Sequence, residues 1–186
     1  EELKAENANL RANQQVFFTA GAGSSDELGQ VEEVEELSFS SVLKAVQVAA
    51  ERCKNLEILD TAISAAKVSP FQRPYDIFKA LTDLDEIVDA WAKSREEKGS
   101  GGDLLQHLRD HGWGKRSSMH ISDTTRGKFR SHYEFDYQGE KQLFEPHITI
   151  GAGDPNSCAS IHFIFDQESL KMVVGHVGKH LPNTNT

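Results

Sequence analysis

The chain has little cysteine and no long apolar run. Its two cysteines among 186 residues, Cys53 and Cys158, are too few for a disulfide framework, and each lies in or beside an apolar pattern. We therefore expect reduced thiols and a cytoplasmic protein. No apolar run approaches the roughly 20 residues that a membrane helix needs, and no basic and apolar leader opens the sequence. We expect no membrane partner.

The chain also lacks an overall positive charge. The formal net charge is −9, and residues 1–102 hold 19 acidic against 11 basic side chains. Phosphate neutralisation needs a basic face, so an acidic chain is a poor candidate for wrapping duplex nucleic acid over its whole surface. One local basic strip remains, with Asp123 as its single acidic residue. Its members are Lys115, Arg116, Arg126, Lys128 and Arg130.

The N-terminal part of the sequence predicts helices. Residues 1–18 place Leu3, Leu10 and Phe17 at a spacing of seven, which indicates a short heptad helix that could pair in a homo-oligomer or with a partner protein. Residues 19–30 are rich in Gly, Ala and Ser, as flexible linkers are. Residues 31–112 form a predicted helical region.

Within that region, helical spacing from Leu43 to Cys53 and from Leu56 to Ala66 predicts an antiparallel helix pair or one long helix. A further helix has Pro74 in its first turn and is ended by the stretch Lys98 to Gly102. A shorter helix spans Asp103 to His111, with Asp103 as its cap.

After Gly114 the apolar period changes to two, which predicts an antiparallel sheet domain over residues 113–186. Residues 131–137 and 140–150 form a hairpin with Gln138 and Gly139 at its turn, and two further strands cover residues 159–166 and 170–181. Connections of two to seven residues leave no room for crossover helices. The expected fold class is α+β, an N-terminal helical region followed by a four-stranded antiparallel sheet packed on helices.

All eight histidines lie between His107 and His180. Strand alternation places His147, His162 and either His176 or His180 in a row on one sheet face, opposite the apolar set Ile161, Phe163 and Phe165. The sequence thus predicts an imidazole-rich, solvent-reachable face beside an apolar core face.

Three interpretations of this face stay open. In the first, the imidazoles are acid and base groups of metal-independent RNA cleavage, in which a 2′-hydroxyl attacks the adjacent phosphate and no cofactor is needed. The candidate catalytic residues are His147, His176 and His180, and the candidate substrate-binding residues are Arg126, Lys128, Arg130 and Lys179. In the second, the imidazoles ligate zinc or manganese together with Asp166 or Glu145, although no compact ligand motif is present. In the third, they belong to a solvated sheet face without a function.

Two resemblances bear on these interpretations. His120-Ile121-Ser122 and His147-Ile148-Thr149 both fit the His-x-Ser/Thr motif of the two-histidine phosphoesterases. The stretch Ala159 to Leu181, ASIHFIFDQESLKMVVGHVGKHL, resembles the last two strands of the RelE and HigB toxin superfamily. The second resemblance implies a helix-then-sheet domain that cuts messenger RNA without metal, usually on the ribosome, in a toxin or defence setting.

Two functions of different kinds are therefore predicted as alternatives. The first is a nucleic-acid-cleaving effector with RNA as its partner, in which the sheet carries the site and the heptad helix assembles the protein. The second is a non-catalytic interaction or scaffold protein, assembled through a coiled coil. The basic strip and the histidine face together favour the first, because an interaction module requires neither.

Overall fold

The computed structural model describes residues 38–184, and these residues belong to one compact unit. The heptad helix over 1–18 and the linker over 19–30 lie outside the described residues. The helices are α1 (Val42–Arg52), α2 (Asp60–Lys67), α3 (Pro74–Lys98), α4 (Leu104–Asp110) and α5 (Asp123–Phe129), and a 3-10 turn spans Arg130–His132. The strands are β1 (Leu56–Ile58), β2 (Ser117–Ser118), β3 (Glu134–Tyr137), β4 (Glu140–Leu143), β5 (His147–Gly151), β6 (Cys158–Asp166) and β7 (Lys171–Lys179).

The strands form a five-stranded mixed sheet in the order β1-β7-β6-β5-β2, and a separate β3-β4 hairpin. The mixed α and β content is confirmed, but the predicted four-stranded antiparallel sheet is wrong in three respects. Strand β2, which was not predicted, adds a short antiparallel partner to β5. Strand β1 adds a parallel partner to β7. Residues 140–150 are two strands in different sheets, because the chain leaves the hairpin after Leu143 and enters β5 at His147.

Strand β1 also corrects the helix predicted from Leu56 to Ala66. Leu56 and Ile58 pair with Met172 and Val174 of β7, and helix α2 starts only at Asp60. The backbone N–H of Met172 donates to the carbonyl of Asn55, which extends the pairing at the strand end. Three residues with alternating burial satisfy a strand as well as a helix, so the distant partner decides.

The helix boundaries follow ordinary capping chemistry. The Ser41 side chain accepts a hydrogen bond from the Lys44 N–H at the start of α1, and Asp103 caps α4 in the same way. Helix α3 has Pro74 in its first turn and ends at Gly99, whose φ of 75° places it in the left-handed region. Among residues 38–184, no helix combines the length and apolar character that a bilayer crossing requires.

The main core lies between the helices and one face of the five-stranded sheet. Helices α1 and α3 contribute buried side chains that include Val46, Leu81 and Leu84, and the sheet contributes Ile161 and Phe163. The prediction that Ile161, Phe163 and Phe165 form the apolar core face is confirmed, with Phe165 partly buried against the same core.

The β3-β4 hairpin covers part of the other sheet face. Its turn is formed by Gln138 and Gly139, both with positive φ, as in a two-residue hairpin, so the predicted turn is confirmed. Tyr137 of β3 and Phe144, just after β4, pack on Val173 of β7 in a second apolar cluster. The histidine face is therefore covered over part of its area.

The hairpin packs closely on β7 at Gly175. A Cβ added there would lie 2.4 Å from Phe135 and 2.8 Å from Phe144. We expect Gly175→Ala to lower the free energy of unfolding by about 1–3 kcal/mol, because the hairpin must shift. Chemical denaturation measures this change. The matched control is Gly127→Ala in α5, where no heavy atom lies within 4 Å. Equal stability of the two variants would contradict the close contact.

Candidate active site

Four imidazoles meet where β5, β6 and β7 lie side by side. His147 pairs with His162, and His162 pairs with His176 across the next strand. The ring of His147 stacks on that of His162 with centroids 4.7 Å apart and an interplanar angle of 22°, and His176 lies 5.9 Å from His162. His180 stands nearly perpendicular to His147 at 6.4 Å. The structure brings the three predicted catalytic histidines into one cluster around His162.

A β-bulge sets the position of His176. The register shifts between His162, opposite His176, and Phe163, opposite Val174, so Gly175 is the extra residue of β7. His176 is thereby directed beside His162, whereas Val174 and Val177 both belong to the main core.

The prediction that the histidine face is open to solvent is wrong for its central residues. His162 is 0% exposed and His176 is 7% exposed, whereas His147 and His180 are half-buried. Tyr133 packs edge-on against His162 with centroids 5.2 Å apart. The sequence did not indicate this cover, because Tyr133 precedes β3 and reaches the sheet through tertiary packing.

Backbone carbonyls fix the tautomers of the two stacked rings. His147 Nδ1 lies 2.7 Å from the carbonyl oxygen of Glu145, and His162 Nδ1 lies 3.1 Å from that of Phe144. A carbonyl only accepts, so each Nδ1 carries the proton and donates it. In the neutral ring, Nε2 of each residue is then a lone-pair acceptor.

The other two rings are held in the same manner. His180 Nδ1 donates to the Leu181 carbonyl at 2.8 Å, which leaves Nε2 as its acceptor. His176 instead donates from Nε2 to the Lys179 carbonyl at 2.7 Å, which leaves Nδ1 as the acceptor of this ring. The cluster is thus oriented by backbone rather than by carboxylates.

Burial keeps three of the four rings uncharged. It lowers the pKa of His147 and of His176, and it lowers that of His162 well below the ordinary histidine value. Neighbouring imidazoles add to the shifts, since two imidazolium ions at this separation repel each other. At neutral pH these three rings are neutral bases.

A cleft of about 210 Å³ opens on one side of the cluster. Its walls include His120, Ser122, Tyr133, His147, His162 and His180. His176 is not among the lining residues and lies behind His162. Two predicted catalytic residues, His147 and His180, therefore reach the cleft.

Glu145 connects the two sides of the cleft. Its backbone carbonyl accepts from His147, and its carboxylate lies 3.3 Å from Nδ1 of His120. The same carboxylate accepts two hydrogen bonds from the guanidinium of Arg126. The hydrogen bonds from Arg126, and then that from His120, lower the pKa of Glu145, so this buried carboxylate stays ionised.

The predicted substrate-binding residues lie outside the cleft walls. Arg126 is held by Glu145 and by Asp123, whose carboxylate is 2.7 Å from its Nη1. Arg130 donates to Glu134 at 2.6 Å, and Lys128 and Lys179 are exposed. Their role in binding stays a prediction.

The carboxylates considered as metal ligands have other partners. Asp166 accepts from the hydroxyl of Tyr137 at 3.0 Å and from two backbone N–H groups of the turn after β6, while Glu145 is held by Arg126. Within residues 38–184, no group of three or more His, Cys, Asp or Glu side chains has the arrangement that would hold a metal ion.

Comparison with protein-family models, with curated proteins and with solved structures finds no match for this chain. The comparisons therefore leave both resemblances untested. The interpretation of the site rests on its own geometry.

Proposed function

We propose that the protein cleaves RNA without a metal ion, with His147 as the general base. The observation that carries this proposal is the fixed tautomer of His147, a residue of the cleft wall whose Nε2 keeps its lone pair. The same cleft contains a second, exposed imidazole, that of His120. A neutral imidazole that holds a lone pair near neutral pH is suited to removing a proton from a hydroxyl.

The general acid in this proposal is His120. Its side chain is 79% exposed, and its Nδ1 lies 3.3 Å from the Glu145 carboxylate, within reach of a hydrogen bond. Sequence reasoning noticed His120 only through its His-x-Ser motif. Strand β2 brings it to the cleft, because Ser118 pairs with His147.

The reaction is a transfer within the RNA chain. His147 Nε2 removes the proton from a ribose 2′-hydroxyl, and the 2′-oxygen forms a bond to the adjacent phosphorus. The bond from phosphorus to the 5′-oxygen breaks, and this oxygen leaves with the proton of His120. The products are a 2′,3′-cyclic phosphate and a 5′-hydroxyl end. His180 is a second acid or base candidate beside His147, and Lys128, Arg130 and Lys179 are candidates for contacts with flanking phosphates.

The test is incubation of the full chain with end-labelled RNA and with matched DNA, each in excess chelator. We expect cleavage of RNA alone, with cyclic phosphate ends, and no cleavage at a position carrying a single 2′-deoxyribose. Cleavage of DNA, dependence on a divalent ion, or no cleavage of either polymer would contradict the proposal. The last outcome would favour the scaffold alternative. A toxin or defence role stays a prediction from the resemblance.

A further inference from the structure

The least explained atom of the site is Nε2 of His162. This nitrogen is buried and has no hydrogen-bond partner within the described part of the chain. The residue is fully buried, yet it forms part of the cleft wall. Because Nδ1 donates to the Phe144 carbonyl, Nε2 is an acceptor for which residues 38–184 provide no donor.

The nearby aromatic and imidazole rings use their donors elsewhere. The hydroxyl of Tyr133, which packs against His162, donates to the Pro182 carbonyl at 2.8 Å. His147 and His180 each use the Nδ1 proton on a backbone carbonyl and so present acceptors as well. Burial keeps His162 neutral, so protonation from solvent does not remove the acceptor. A buried acceptor without a hydrogen bond destabilises the fold, because its desolvation is not compensated. A ligand that donates a hydrogen bond to Nε2 would offset this free energy.

The rings packed around His162 restrict the direction from which a ligand can reach Nε2. One face of the His162 ring is stacked against His147, and Tyr133 packs edge-on nearby. The lone pair of Nε2 lies in the plane of the ring, so a donor approaches it in that plane. A planar base with an amino group in its own plane fits this approach, and the ribose hydroxyl is already assigned to His147.

We propose that His162 selects a nucleobase whose exocyclic amino group is adenine N6 or cytosine N4, at the position bound in the cleft. This inference rests on the proposed RNA cleavage and names the base that the site accepts. Adenine N6 and cytosine N4 donate, whereas the matching oxygens of hypoxanthine and uracil accept and would face the lone pair of His162.

The experiment measures nucleotide binding by the full chain without cleavage. The probes are the 3′-monophosphates of adenosine, inosine, cytidine and uridine, of which each pair differs at the tested group. We expect the adenosine nucleotide to bind about 10- to 100-fold more tightly than the inosine nucleotide, as measured by Kd, and the cytidine nucleotide to exceed the uridine nucleotide by a similar factor. The ring 15N resonance of His162 Nε2 should shift with the amino nucleotides and stay in place with the others.

The variant His162→Phe should bind all four nucleotides with nearly equal Kd. The resonance in the unmodified chain keeps the test decisive even where that variant fails to fold. Equal binding within each pair, an unmoved Nε2 resonance, or no binding at all would overturn the inference. Cleavage at adenosine and inosine with equal rates would overturn it while leaving the proposed function intact. Selective binding without any RNA cleavage would instead contradict the proposed function.

Discussion

Replacing His147 with alanine should lower the rate of RNA cleavage at pH 7 by roughly 100- to 10,000-fold, the range that a positioned general base contributes. The lost group is the Nε2 lone pair in the cleft, which the hydrogen bond from Nδ1 to the Glu145 carbonyl holds in place. Single-turnover kinetics at saturating RNA isolates this chemical step from binding.

The matched control is His132→Ala. His132 is an exposed histidine in the 3-10 turn after α5 and is not among the residues lining the cleft. It should retain the original rate. His120→Ala should lose a comparable factor, since the leaving oxygen then lacks its proton donor. If His147→Ala and His132→Ala cleave at the same rate while both stay folded, His147 is not the base.

Mild acid should destabilise the fold. Burial lowers the pKa of His147, His162 and His176, whereas the same rings in the unfolded chain titrate near the ordinary value of about 6.5. Above that pH the rings are neutral in both states, and the stability is complete. As the pH falls below about 6.5, these histidines take up protons in the unfolded chain but stay neutral in the folded chain, so the free energy of unfolding falls.

The expected loss is on the order of 3 kcal/mol between pH 7 and pH 5. The lowered pKa values of Glu145 and Asp166 act with the same sign but at lower pH, because their unfolded values lie near 4. The window from pH 6.5 to pH 5 therefore reports the histidines. Urea denaturation at half-unit pH steps gives the slope.

Two variants assign that slope to the cluster. His162→Phe should reduce the pH dependence of the free energy of unfolding, because one histidine with a lowered pKa in the folded state is removed. His132→Gln should leave it unchanged, since this side chain is exposed in the folded protein as it is in the unfolded chain. A stability that is flat from pH 7 to pH 5, or one that rises, would show that the rings are not buried as neutral groups.

Much of the architecture was readable from local chemistry. Four features were predicted, because each is set by residues within a few positions of each other. They are the capped start of α4 at Asp103, Pro74 in the first turn of α3, the end of α3 within the stretch Lys98 to Gly102, and the Gln138-Gly139 turn. Strand β1 was missed because its three residues acquire their conformation from β7, more than one hundred positions away.

The candidate site was partly predictable for the same reason. Strand alternation brought His147 and His162 to one face, as the observed pairing confirms. It could not show that Tyr133 would cover them or that a bulge would place His176 behind His162, because both depend on tertiary packing. The one sequence signal for His120 was its His-x-Ser motif, which matches that of His147.

The most direct test of this account is a long-range 1H–15N correlation spectrum of the histidine rings at pH 7. We expect neutral rings with the proton on Nδ1 in His147 and His162, and a neutral ring with the proton on Nε2 in His176. Imidazolium patterns at these residues, or the proton of His147 on Nε2, would contradict the account, since the cleft would then lack its base.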